Sequence, residues 1–211
     1  MKDGASTGQS VDMDAAAAAA IMRETRERAL RRLRPDHRAT FTAWGLIWLV
    51  GDGAMWLIVR GQHPYHGPSP AAYAAIVLLA SLAALASMEE NRAETGVGGP
   101  SAVRRRLLFV TSFLGYAGAF ALEGALAHAG AGRPVLGVFE AVAPILVTGL
   151  LYLAISSSIQ DWPVAALGLG LIIVAAVSGF AGPEAVWGIV AITVGPAFLL
   201  SAALQVRLRR S

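Results

Sequence analysis

The chain has 211 residues, of which 55% are hydrophobic and only 15% charged, with a mean hydropathy of +0.57 and a formal net charge of +3. Soluble domains carry about 25% charged residues, so an ordinary soluble fold is excluded. With no cysteine, a disulfide framework, a thiolate metal site and a cysteine nucleophile are excluded as well.

Residues 1–13 are rich in Gly, Ser and Asp and read as disordered. Residues 14–38 read as a cytoplasmic juxtamembrane helix. Asp14 is placed to cap six consecutive alanines, and the arginines gather at the far end, matching the helix dipole. Pro35 stops it. Glu24 with Arg28 and Glu27 with Arg31 form i,i+4 pairs. Arg23, Arg26, Arg31 and Arg34 are expected to lie at anionic lipid headgroups, as are Arg104, Arg105 and Arg106 further along.

Residues 39–206 read as a transmembrane domain of six helices. A bilayer core ~30 Å thick needs about 20 mostly apolar residues per helix. Six stretches are apolar enough: Phe41–Val59, Pro70–Met88, Leu107–His128, Pro134–Ile155, Trp162–Phe180 and Pro183–Val206. None alternates with a period of two, so barrel strands are excluded. The first lies too far along the chain for the apolar core of a cleavable signal peptide. A basic tail, 207–211, follows. The predicted fold is an all-α polytopic bundle.

Of the 17 Lys and Arg residues, 15 precede span one, join spans two and three, or follow span six; only Arg60 and Arg133 fall on the other side. The positive-inside rule therefore puts both termini in the cytoplasm. The same distribution makes the pI of 9.8 a sign of topology, and no nucleic-acid partner is expected. The spans pair as three hairpins. Val142-Ala-Pro144-Ile matches Val194-Gly-Pro196-Ala 52 residues later, which suggests parallel repeats; similarity among Ala/Leu/Val helices is the alternative reading. Small residues four apart, such as Gly115 with Ala119, Ala166 with Gly170 and Ala175 with Gly179, suit close helix packing or a homo-oligomer.

Ionisable groups within lipid are costly and mark functional candidates. There are three: Asp52, Glu123 and Glu140. At 1.5 Å per residue they lie ~7–12 Å below the outer helix ends. Glu123 and Glu140 belong to one hairpin and are placed to face each other. Acids sharing a depth can bind a cation or relay protons; three locally bonded side chains are the alternative. His63, His66 and His128 are a weaker candidate metal site, because imidazole suits zinc, copper or nickel. There is no phosphate-binding loop, zinc-protease helix or nucleophile elbow, so neither catalysis nor a cofactor is expected.

Leu30-Arg-Arg-Leu-Arg-Pro-Asp36 with Trp44-Gly-Leu-Ile-Trp48-Leu-Val-Gly51-Asp-Gly53-Ala-Met-Trp56 resembles an uncharacterised family of bacterial six-helix integral membrane proteins. The resemblance implies an inner-membrane location. Three hairpins with an Arg-rich tail are also similar, more faintly, to acid-resistance membrane proteins of the HdeD type. The expected role is transport or permeation of a small solute or cation. The alternative is a non-transporting anchor, sensor or regulatory subunit that docks a cytoplasmic partner through its Arg-rich helix.

The charge split generates a direct test. In intact cells, single-cysteine variants Ala5→Cys and Ser211→Cys remain unlabelled by an impermeant maleimide added outside; labelling of either reverses the orientation.

Overall fold

A computed structural model describes residues 17–22, 38–93, 100–159 and 161–210. The chain divides into two compact units, Met1–Asp36 and His37–Ser211. In the first, residues 17–22 are helical. The disordered segment expected over 1–13, and Arg23, Arg26, Arg31 and Arg34, lie outside the described residues.

The second unit is helical, with no strand among the described residues. Helix α1 runs from Arg38 to Val59 with a π-helical interior at Ile47–Asp52. It is followed by α2 (Pro70–Ala93), α3 (Pro100–His128), α4 (Arg133–Ile159), α5 (Trp162–Ser178) and α6 (Ala185–Arg210). A short 3-10 turn, Gly179–Ala181, extends α5. Proline and glycine punctuate these elements. Pro70 and Pro100 open their helices, where the missing N–H is not needed. Asp161 accepts a hydrogen bond from the Val164 N–H at 3.4 Å and caps α5. Gly130 and Gly182 turn the chain at φ +87° and +88°, a region that disfavours side chains with a Cβ.

Among the described residues five helical stretches are long and apolar enough to cross a membrane: Arg38–Val59, Arg106–His128, Arg133–Ser157, Trp162–Ala181 and Ala185–Gln205. Among the described residues α2 has a shorter apolar stretch, Pro70–Leu85. Their surfaces are hydrocarbon: Leu78, Leu82, Phe113, Phe120, Ile173 and Ile192 are all exposed. Such a surface is stable only against lipid or another apolar partner. Several serine and threonine hydroxyls on these helices are satisfied within their own helix. Ser81, Ser112, Thr193 and Ser201 each donate to a carbonyl four residues back, at 2.6–2.8 Å.

The core joins α1, α4, α5 and α6 through Met55, Val59, Ile145, Leu171, Val190 and Phe198. The most extensive contacts are α4 with α5 and α1 with α6, with smaller ones within the hairpins α1–α2, α3–α4 and α5–α6. Alpha6 is the most enclosed of the five spans, whereas α3 has no buried residue in its apolar window. Away from the hairpin loops, Phe41, Tyr152 and Phe198 form an aromatic group with ring centroids 5.7–6.1 Å apart.

Close approach is set by glycine. A Cβ on Gly149 would meet the Gly168 carbonyl oxygen at 2.9 Å, and one on Gly168 would meet the Gly149 oxygen at 2.9 Å. On α6, Gly195 takes Leu49 and Gly188 takes Trp56; on α1, Gly45 takes Leu199. A Cβ on Gly170 would meet nothing within 4 Å. Gly168→Val therefore forces α4 and α5 apart and lowers stability by about 1–3 kcal/mol, while Gly170→Ala is near neutral. Denaturant or thermal unfolding in detergent micelles distinguishes the two.

Candidate functional site

The described loops meet at one end of the bundle, the hairpin end. The loop between α1 and α2 is organised by Gln62. Its amide nitrogen donates to the carbonyls of Ile58 (3.1 Å) and Gly67 (3.3 Å), and its oxygen accepts from the N–H groups of His66 (3.0 Å) and Gly67 (3.1 Å). Glu184, between α5 and α6, ties this loop down. One carboxylate oxygen accepts the Gly61 N–H at 3.1 Å and the other lies 3.6 Å from His63 Nδ1.

Tyr65 drops from the loop onto α4, where Gly137 leaves space for its ring; any Cβ at 137 would overlap the phenol. The Trp187 indole N–H, on α6, donates to the Tyr65 oxygen at 3.4 Å. Burial pushes the Tyr65 phenol above its ordinary value, against the opposite pull of the Trp187 bond. The Trp187 ring also meets Tyr73 of α2 edge-on, with centroids 6.5 Å apart.

This framework aims Tyr73 at Glu140: the phenol donates to Glu140 Oε2. Glu123 on α3 lies close enough to Glu140 for their charges to interact, and within the field of Arg133. The fields of Glu140, Glu184 and Arg133 also reach Tyr65. Three helices thus converge on one carboxyl pair. Beside it is a shallow open groove with room for about one water, lined by Tyr116, Phe120, Glu123, Phe139, Glu140 and Pro144 among others. Proline has no N–H, so Pro144 leaves the Glu140 carbonyl without its i+4 donor. Beside the groove, the Tyr116 and Thr148 hydroxyls bond each other at 2.8 Å, and Thr148 donates to the Pro144 carbonyl at 2.7 Å.

The structure brings Glu123 and Glu140 together and keeps Asp52 apart. Asp52 is 6% exposed and has no hydrogen-bonding or charged partner among the described residues. The π-helical segment it closes packs against α6 and α2. A common depth therefore does not make a common site, because helix rotation and neighbours decide what each acid faces. His63, His66 and His128 are not gathered either: among the described residues no group of three or more histidine and acidic side chains is arranged to hold a metal ion. Arg104, Arg105 and Arg106 fall in the first two turns of α3, and Arg106 is exposed.

Sequence reasoning missed Tyr73 as a carboxyl partner, Gln62 as the loop organiser and Glu184 as the clasp. Tyr73 carries no sequence signal that sets it apart from any other tyrosine of a spanning helix. Glu184 carried a usable signal: it is an acid in a connection of very few residues beside Gly182. No protein-family model, curated relative or solved structure matches the chain, so the likenesses drawn from Leu30–Asp36 and Trp44–Trp56 rest on those residues alone.

Gln62 makes four hydrogen bonds to the loop, two of them holding backbone N–H groups. Gln62→Ala should speed hydrogen exchange at His66 and Gly67 by roughly tenfold, since each bond contributes about 1 kcal/mol. Mass-resolved exchange on the purified protein measures it.

Proposed function

We propose that this is a bacterial inner-membrane protein of six spans, with both termini cytoplasmic, that transports or lets through a small solute or cation. The carrying observation is the Tyr73–Glu140–Glu123 constellation beside the cleft. Intramembrane acids are expensive to keep and tend to mark ion pathways or proton relays. Two carboxyl groups, a phenol and a carbonyl without its helical donor supply oxygen atoms suited to a cation or a protonated solute. Arg133 offsets only part of the negative charge.

Span two, which brings the five longer apolar helices to six, is supplied by α2, whose apolar stretch Pro70–Leu85 continues as helix to Ala93. The 15-to-2 division of basic residues supports the orientation, and with that orientation the constellation belongs to the outer half of the bilayer. The matching prolines Pro144 and Pro196, each inside a helix, support a repeat relating the second and third hairpins. Anionic headgroups are the proposed partners of the arginines, and a second copy of the chain is a further partner compatible with the little-buried α3. The tightly packed core of α1, α4, α5 and α6 favours the competing reading, a non-transporting anchor or sensor that docks a cytoplasmic protein through its Arg-rich helix.

Reconstitution separates the two. In vesicles holding a pH dye or a cation-sensitive dye, wild-type protein should pass protons, Na⁺ or K⁺ faster than protein-free vesicles do. Glu140→Gln should fall towards the protein-free rate, while Gly170→Ala keeps the wild-type rate. Wild-type vesicles as tight as protein-free ones to all three cations would overturn cation permeation and favour the anchor.

A further inference from the structure

Helix α1 is the one spanning helix with a π-helical interior among the described residues, at Ile47–Asp52. Single π turns inside α-helices recur at functional sites. Two buried polar groups without partners lie within this segment. Asp52 is 6% exposed and neither hydrogen-bonded nor paired with a charge among the described residues. The Trp48 indole nitrogen, four residues earlier, is also buried with no hydrogen-bond partner. Residues four apart share one side of a helix, so an unused donor and an unused carboxyl lie one turn apart on α1.

The surroundings narrow what can bind there. The π-helical segment packs against α6 and α2. Leu49 sits on Gly195, Gly53 faces Ala191, and Gly51 lies against Ile76. Across Ala185–Gln205 and Pro70–Leu85 there is no Asp, Glu, Lys, Arg or His. Tyr73 is the single titratable group of those two stretches, and its phenol is bonded to Glu140. On α1 itself Arg60 and Arg38 lie ~12 Å and ~21 Å away along the axis. Among the described residues no protein cation is therefore placed to compensate a carboxylate at Asp52, and an uncompensated buried charge is expensive. A hard metal cation needs several oxygen ligands, whereas these walls offer hydrocarbon and an N–H donor.

We propose that Asp52, together with the Trp48 indole N–H, forms a proton-binding site inside the bundle, separate from the Glu123–Glu140 cleft. A proton needs only the carboxylate oxygen. When the O–H bond of Asp52 breaks, the proton passes to water, and the carboxylate left behind accepts a hydrogen bond from Trp48 Nε1, directly or through that water. No electron is transferred and no other bond changes. The site does not depend on the cleft conducting anything.

The test uses the wild-type chain in phosphatidylcholine–phosphatidylglycerol vesicles. Dicyclohexylcarbodiimide, an apolar reagent, adds to protonated carboxyls to give a stable acylurea, which peptide mapping locates. The expected result is an adduct on Asp52 that diminishes as pH rises, persists in saturating NaCl and is lost in Asp52→Asn. Trp48→Phe should keep the adduct but move its pH midpoint upward, because the carboxylate loses its donor. No adduct on Asp52 at any pH overturns the proposal, and protection by Na⁺ at constant pH assigns the site to a metal cation instead. An unmoved midpoint in Trp48→Phe overturns the role given to Trp48. Adducts on Glu123 or Glu140 map to different peptides, so failure at Asp52 leaves the cleft reading standing, and tight vesicles in the flux assay leave the Asp52 site standing.

Discussion

Close approach of α1 and α6 is the contact on which the other arrangements depend. Lipid tails are as apolar as leucine, so hydrophobic burial gives spanning helices little reason to associate, and packing must do it. Gly45, Gly188 and Gly195 let Leu199, Trp56 and Leu49 sit directly on opposing backbone. That seating fixes the height and rotation of α1 on the most enclosed helix of the bundle. Gly149 and Gly168 do the same for α4 on α5.

The polar chemistry follows from those two seams. With α6 in place, Trp187 is positioned to hold Tyr65 by a hydrogen bond and Tyr73 by ring contact. Tyr65 lies over Gly137 and so registers the loop on α4, while Tyr73 reaches Glu140 one turn further along. The clasp from Glu184 to Gly61 closes the same ring from the α5–α6 side. Glu140 is thus oriented by residues from α2, the hairpin loops and α6 that are far apart in sequence. Alpha3 adds Glu123 from the exposed side, which leaves the pair open to the cleft.

The helices were legible because length, hydropathy and the placement of arginine are one-dimensional signals. Each expected span has a helix within a few residues of its bounds, except where amphipathic ends run on, as α2 does to Ala93 and α3 does from Pro100. The facing of Glu123 and Glu140 was legible because a short connection forces α3 and α4 to be neighbours. The isolation of Asp52 was not, since depth along a helix carries no information about rotation. Glycines were legible as a class but not individually: Gly170 proved open, while Gly149 and Gly168, in different helices and without a shared spacing, meet backbone to backbone. The π-helical turn has no sequence signature beyond Gly51-Asp52-Gly53, because it answers to how α1 is seated on its neighbours.

The central claim is that Glu123 and Glu140 act as one unit while Asp52 stands alone. Carboxyl infrared titration measures this directly, in wild-type protein and in Asp52→Asn, Glu123→Gln and Glu140→Gln. The arrangement predicts that Glu140→Gln moves the titration of Glu123, and that Asp52→Asn removes its own signal and leaves Glu123 unmoved. A Glu123 titration that Glu140→Gln leaves unmoved, or that Asp52→Asn shifts, would contradict it.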